Sequence, residues 1–418
     1  MERAGALQGI RVVDLTRVLA GPLCTQILAD HGAEVTKVEP PAGDETRRLG
    51  PPYTASQQAA YFSALNRGKQ SISLDLSTPD GQQVLHGLLA SADVLVENFV
   101  PGTLERWGLG YDDVLAARYP RLVLCSISGF GADGPLGGLP GYDAVLQAAC
   151  GIMSINGSAD RGATKVGIPV VDHLTGYVAL TGILMALQAR ERDGLGQRVE
   201  ATLYDTAISL LLPHAANWLC SGEVPAPLGS AHPNIVPYDK FRAADGELFI
   251  GILNDAQFTR FCAAIGEPAL ATDPRFAGNA QRLGHREALY AAIEAAIAAQ
   301  PAQAWAQALM AQGVPASAVN SVAAALEHPH TAHRQLLVQR GDYQGIRSPV
   351  RLMGTPAVPG AAPPHLDQDR AAILARSWRA QESGPGQAQA QAQAQGLAQA
   401  PPPASARKMQ EGHAITQH

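Results

Sequence analysis

Apolar positions recur along this chain in two rhythms. Short apolar runs at 10–15, 35–38, 71–76, 94–97, 122–127 and 199–203 are bounded by Gly, Pro, Asp or Ser, and each predicts a buried strand. Helical stretches lie between them. Pro22 suits the first helical position and Gly32 the residue after the last, which predicts a helix over 22–31. Ser77-Thr78-Pro79 starts another helix, and shorter ones fall near 102–107 and 112–118. Strands alternating with helices predict βαβ units and a parallel sheet, hence an α/β fold.

One stretch organises the rest. Residues 166–171 read VGIPVV, a run suited to a buried strand, and Asp172 breaks it. From Leu174 the chain is apolar on nearly every face for three to four turns, so the helix there should be buried. Gly176, Ala179, Gly182 and Ala186 keep one side thin enough for another backbone to come close, and Gly194 suits the end. A single carboxylate therefore sits where strand meets helix. Asp is a preferred N-cap. The same amides and the helix dipole would hold the carboxylate ionised, and an ionised carboxylate can attack an acyl group. Local pattern leaves both roles open.

Beyond it, 205–219 predicts one long apolar helix, and the Pro-rich stretch 225–237 a crossing between domains. A second unit follows, with a strand over 246–252 and Ala-rich helices over 256–265, 286–299 and 302–312. Pro349, Pro356 and Pro359 mark a return crossing. The expected division is a large domain over 1–205, a linker helix over 206–225, a small domain over 226–330, and a return over 331–380 that completes the large domain. Residues 384–418, with their QAQAQAQAQ run, have little to bury and should be disordered.

Composition narrows this picture. The chain has 418 residues, 46% hydrophobic and 16% charged, with a net charge of −6. That describes a globular protein with large apolar faces and gives no reason to expect nucleic acid as a partner. The start lacks a signal-peptide pattern, and no apolar run is long and uninterrupted enough to predict a membrane span. Five scattered cysteines without CxxC spacing point to reduced thiols and a cytoplasmic setting.

The candidate chemistry is sparse. The turn after the first strand, TRVLAGP, has one glycine where a dinucleotide fingerprint needs three, and GFGADGPLGGLPG lacks the GK[ST] of a phosphate loop. His328, His330 and His333 are close, but Pro329 breaks the helix that would align them on a metal, so no metal is expected. Cys150 reads as core. Asp143 either caps the helix after the glycine loop or pairs with Asp172. Asn98 and Phe99 follow a strand, at the edge where α/β sheets bind ligands. Arg17, Arg47, Arg67, Lys69 and Arg106 fall in similar places and together suggest a pocket for an anion.

RVLAGPLCTQILADHGAEVTKVE, GDETRRLGPP, ENFVPGTLERWGLGY, GFGADGPLGGLPGYD and GIPVVDHLTG, in this order, resemble the class III CoA-transferases, the formyl-CoA transferase family. SAHPNIVPYDKFRAADGELFI and DPRF resemble its smaller domain, so the match runs from about Gly9 to Pro359. The resemblance implies a Rossmann-like large domain with a parallel sheet, a smaller α/β domain, and chains interlocked as a homodimer. It implies that Asp172 is the acyl-accepting nucleophile. Val18, Leu19, Ala20, Leu74, Leu76, Asn98, Phe99 and Arg106 would contact CoA. Tyr142 and Asp143 match a Tyr-Glu pair beside the nucleophile. CoA enters as substrate carrier, with no cofactor or metal. GILNDAQF replaces the glycine run of the formyl enzyme and HLDQDR a GQHT-like segment; RVLAGP, GDETR, HAANWL and SAHPNIVPY look closer to the succinyl-CoA–dicarboxylate branch. Arg17 and Arg47 are then the candidates to face a substrate's second carboxylate. The rival readings are an α-methylacyl-CoA racemase, whose acid–base His would fall at Tyr142, and a catalytically silent CoA-binding protein.

Overall fold

The structure, a computed structural model, describes residues 5–382. Six strands, β1 (Arg11–Asp14), β2 (Glu34–Glu39), β3 (Lys69–Ser73), β4 (Val94–Glu97), β5 (Val123–Ser128) and β6 (Arg198–Thr202), form one sheet in the order β3-β2-β1-β4-β5-β6. Every neighbouring pair is parallel. This is the doubly wound order, and its crevice opens at the carboxyl ends of β1 and β4, where the strand order reverses.

The strands read as continuous apolar runs because both faces are covered. Val12 joins a core with the helices Ala20–Asp30 and Val170–Asp193, whereas Val13 and Leu15 join the opposite core, with Leu85 and Leu89 of the helix Pro79–Leu89. The thin side of the long helix does what its small residues foretell. A Cβ on Gly176 would lie 2.8 Å from the Ala20 carbonyl oxygen, and one on Gly182 would lie 2.5 Å from the Val199 side chain.

Several expectations are corrected. Residues 166–171 form no strand: the Val166 N–H donates to the Gln147 side chain rather than to a ladder, and the helix already begins at Val170. Asp172 is therefore the third residue of its helix, and Pro169 occupies the N-cap position without a side-chain cap. That helix is buried on one side only. Val171, Ala179, Ile183 and Leu187 face the core, but Val178, Leu184 and Met185 are exposed, Met185 at 67%. By length and composition alone it is apolar enough to cross a membrane, contrary to expectation, although its inner face is packed into the large core. The first helix starts at Ala20, two residues before Pro22. The stretch 205–219 is two helices, Leu203–Ser209 and His214–Ser221, because Pro213 cannot donate the N–H that a continuous helix needs.

A second sheet, β7 (Tyr238–Arg242), β8 (Glu247–Gly251) and β9 (Ala316–Ala318), is antiparallel and has its own core, including Phe241, Phe258, Phe261, Ile293 and Leu309. A hairpin of β10 (Leu337–Arg340) and β11 (Tyr343–Ile346) follows. The chain then returns to the large sheet. The carboxylates of Asp369 and Asp367 accept from the Ser71 and Ser73 amides at 2.9 and 2.7 Å, and Arg370 donates to the Ser73 carbonyl. HLDQDR thus covers the open edge of β3. The tail expected to be disordered, 384–418, lies outside the described residues.

Candidate active site

The turn after β1 carries the first half of the site. Val18 has φ +68°, a left-handed conformation that is an outlier for a β-branched residue and costs of order 1–3 kcal/mol. Side chains hold the turn from three sides. The Asn98 amide accepts from the Arg17 N–H at 2.9 Å and donates to the Arg17 carbonyl at 2.7 Å. Lys37 donates to the Thr16 carbonyl at 2.7 Å, and the Val18 N–H points to Asp44 at 3.4 Å. The helix from Ala20 begins here with no side-chain cap.

Beneath the turn lie three ion pairs, each of one acid and one base. Lys69 meets Asp14 at 3.0 Å, Lys37 meets Asp44 at 3.1 Å, and Arg47 meets Glu39 at 2.7 Å. The first two pairs have fully buried side chains. Burial alone would raise the Asp14 carboxyl, but the Lys69 and Lys37 ammoniums and the Thr16 and Thr25 hydroxyls outweigh it and hold the group down to about 2. Burial, together with repulsion from Lys37, brings Lys69 down to about 8.

The second half of the site is the start of the long helix. Asp143, the first residue of the helix Asp143–Ala149, is buried and reaches across to it. One of its oxygens accepts from the Val171 and Asp172 amides at 3.0 and 3.4 Å, and the other from Gln147 at 2.5 Å. Asp143 therefore takes the helix amides that Asp172 was expected to use. Among the described residues nothing donates a hydrogen bond to the Asp172 carboxylate. Burial, and the charge of Asp143 beside it, push the Asp172 carboxyl up to about 7. The expectation that helix amides keep Asp172 strongly ionised is thus corrected: it is poised near neutrality.

Both halves meet on one cavity of about 170 Å³. Arg17, Val18, Leu19, Ala20, Asn98, Phe99, Tyr142 and Asp172 all reach its wall, beside Gly129 and Gly141. Tyr142 is 70% exposed. Leu74 and Leu76 lie elsewhere, buried in the core that contains Leu15 and Val38. Arg106 is exposed and donates to Thr103.

The expected five-cation anion pocket does not form, because most of those cations are already paired. Arg67 is buried against Asp30 and Tyr343, and Lys69 against Asp14. Arg47 binds both oxygens of Glu39, donates to the Pro364 carbonyl and lies 3.7 Å over the Phe62 ring, so it is part of the framework. Only Arg17 lines the cavity. It pairs with Glu45 at 3.0 Å, with side chains 37% and 51% exposed, and lies 5.7 Å over Phe99. Cys150 is buried, and His173 bonds its own helix turn at Pro169. His328 bonds a backbone amide, and His330 and His333 stack on each other. No group of three or more His, Cys, Asp or Glu among the described residues could hold a metal.

One neighbour escaped the sequence reading. Tyr61, on the short helix Ala60–Leu65, has its phenol pushed up to about 12 by burial and by the charges of Asp172, Asp143 and Asp44. It is a neutral phenol within electrostatic reach of the carboxylate pair. Nothing in AYFSAL marks it, since its role depends on carboxylates distant in sequence. Lys37 did leave a signal, as a charge in the middle of a buried parallel strand.

An acyl-accepting carboxylate works in its ionised form, so any activity that depends on Asp172 should follow its ionisation. A group pushed up to about 7 is protonated below that pH and a free carboxylate above it, so kcat/KM should rise with pH and level off above about 7. Asp143→Asn removes the like charge and should move the rise to lower pH. A pH–rate profile of both proteins checks this, and an unmoved midpoint would separate the two carboxylates.

Comparison with known proteins gives consistent findings. The model of CoA-transferase family III matches residues 7–370. An acetyl-CoA:oxalate CoA-transferase of Acetobacter aceti is 41% identical over 374 residues, covering 88% of this chain and 95% of that protein. A succinate–glutarate CoA-transferase of Agrobacterium fabrum is 39% identical over 384 residues, covering 89% and 96%. A crystal structure of a CAIB/BAIF family protein from Brucella suis is similar with a TM-score of 0.81 at 39% identity, covering 90% of this chain and all of that one.

Proposed function

We propose that this chain, which belongs to CoA-transferase family III, moves CoA between a dicarboxylyl-CoA thioester and a free carboxylic acid, with Asp172 as the acyl acceptor. The observation that carries the reading is the Asp172 carboxylate itself. It reaches the cavity, receives no described hydrogen bond and sits near neutrality. A carboxylate relieved of hydrogen bonds keeps its lone pairs for attack.

The steps balance without an outside reagent. The Asp172 carboxylate attacks the thioester carbonyl, forming a mixed anhydride and expelling CoA thiolate. The thiolate attacks the aspartyl carbonyl, leaving an enzyme thioester and releasing the first acid. The second acid attacks that thioester, again forming an anhydride and thiolate. Thiolate attack on the new acyl carbonyl then returns Asp172. In this reading the amides of the uncapped helix start, at Leu19 and Ala20, and of the glycine loop at Gly129 and Gly141, which line the same cavity, would receive the oxyanions. Tyr142 and Asp143 flank the nucleophile, Asp143 by holding its helix. Val18, Asn98 and Phe99 form the wall on which the thioester end of CoA would lie. Leu74, Leu76 and Arg106, off this wall, would serve the distal part of CoA.

The dicarboxylate reading draws on the relatives, whose names include oxalate, succinate and glutarate, and on Arg17. A second substrate carboxylate needs a cation once it leaves water, and a half-exposed pair with Glu45 is exchangeable. Arg17→Met should lower kcat/KM for succinyl-CoA by about 2–4 kcal/mol and spare a monocarboxylyl-CoA of similar length. Exchange assays with succinyl-CoA against a panel of acids make the comparison, and equal losses on both donors would end the dicarboxylate reading.

The working unit is a homodimer of interlocked chains. In support, the long helix leaves Val178, Leu184 and Met185 exposed, and the following segments leave Leu212, Trp218, Leu219 and Val224 exposed. So much apolar surface in sequence-adjacent elements is the mark of an interface. Sedimentation should show a dimer at every practical dilution; a folded monomer would contradict it. All five cysteines are free, which fits a reducing, cytoplasmic compartment.

A further inference from the structure

Val18 is one of four non-glycine residues with positive φ among the described residues, and the only β-branched one. It lines the same cavity as Asp172. A side chain of that kind does not stay in a left-handed turn unless its surroundings fix it. The Lys37–Asp44 pair is such a fixture. Lys37 rises from the middle of β2, is fully buried, and gives one N–H to the Thr16 carbonyl while it ion-pairs with Asp44 at 3.1 Å. Asp44, also fully buried, faces the Val18 amide at 3.4 Å and binds the Thr46 amide and hydroxyl at 3.0 and 2.7 Å. One pair thus holds the backbone on both sides of Arg17, and Asn98 holds Arg17 itself. The pair does not reach the cavity wall.

We propose that Lys37 and Asp44 are positioning residues for CoA transfer: they hold the Thr16–Val18 turn in its left-handed form, which aims the Leu19 and Ala20 amides at the reacting carbonyl. The proposal rests on the crevice being the reaction site. Neither residue touches substrate. Their effect passes through the conformation of Val18, which gives the idea its test. Glycine takes positive φ at no steric cost, so a turn with Gly at 18 needs the pair far less.

The test is a double-mutant cycle in the full-length enzyme, with succinyl-CoA and succinate exchange as the assay. Asp44→Asn keeps the shape and an acceptor but loses the charge that pairs with Lys37. It should lower kcat by about 10–100-fold and change KM for the acyl-CoA by no more than about twofold. In a Val18→Gly background the same change should cost no more than about threefold. Losses that simply multiply would overturn the proposal, since a general weakening of the fold does not depend on which residue stands at 18. If Asp44→Asn yields no folded protein, Lys37→Arg, which keeps the charge but alters the reach to Thr16, goes through the same cycle with the same criterion. Asp172→Asn is assayed alongside. If it is inactive while the cycle multiplies, the positioning role falls alone; if it is fully active, the site and this proposal fall together.

Discussion

Asp172→Asn is expected to abolish CoA transfer, with kcat lower by about 10⁴-fold or more, because the amide cannot form the anhydride and no other carboxylate lines the cavity beside the turn except Glu45, which is paired with Arg17. Asp143 cannot substitute. Its oxygens are committed to two helix amides and to Gln147. The same substitution should make the protein more stable. The carboxyl of Asp172 is raised to about 7 in the folded chain, against an ordinary value of 3.8. Above pH 7 the folded state thus carries an ionised group that its surroundings disfavour, and that cost disappears below about pH 4, where folded and unfolded chains are both protonated. Asn should therefore add about 1–2 kcal/mol above neutrality and nothing at low pH. Urea unfolding at two pH values, beside a turnover assay, reads both effects. A variant that is inactive and less stable would mean that Asp172 supports the fold.

Lys69→Met should be among the most destabilising single changes in the large domain, by about 3–5 kcal/mol. Lys69 is fully buried on β3 and donates to Asp14, Asn66 and the Pro22 carbonyl. Without it, Asp14 is left as a buried carboxylate with Lys37 as its remaining cationic neighbour. The sign can be checked through pH. Asp14 is depressed to about 2, so in the wild type its contribution is present above the ordinary carboxylate range and is lost as pH falls toward 2. In Lys69→Met that depression should shrink, and the acid limb of the stability curve should start at higher pH. Denaturant titrations from pH 3 to 7 make the comparison. A loss below about 1 kcal/mol would show that the pairs beneath the turn are dispensable.

Much of the scaffold could be read from the chain because a parallel sheet buried on both faces has a plain signature. β4 falls at 94–97 as expected, and β1, β2, β5 and β6 fall within two residues of their expected runs. β3 lies two residues earlier than its run, since Leu74 and Leu76 are apolar for core reasons after the ladder has ended. The stretch 166–171 misled for a related reason. Val166, Val170 and Val171 pack on the large core while Ile168 stays exposed, and periodicity alone cannot tell a strand from an extended lead into a helix.

The site was legible where the chemistry lies in one residue and illegible where it lies in pairs. Asn98 and the Val18–Ala20 turn are marked by motif and by their place after strands, and Asp172 by motif alone, since the strand expected before it does not form. That Asp143 would take the amides of another helix, that Arg47 would bind Glu39 rather than a ligand, and that Tyr61 would feel the charge of the carboxylates all depend on how separate elements come together. The outward face of the long helix is a third case. Apolarity on every side predicted burial, and in a single chain it stands open.

If Asp172 is acylated and then thioesterified during turnover, it can be trapped. Enzyme mixed with succinyl-CoA is quenched with hydroxylamine, which cleaves anhydrides and thioesters to hydroxamates, and its peptides are mapped by mass. One hydroxamate is expected, at Asp172, formed only when acyl-CoA is present and absent from Asp172→Asn. A hydroxamate at Asp143 or Glu45, or sustained exchange with no trapped residue at all, would contradict it.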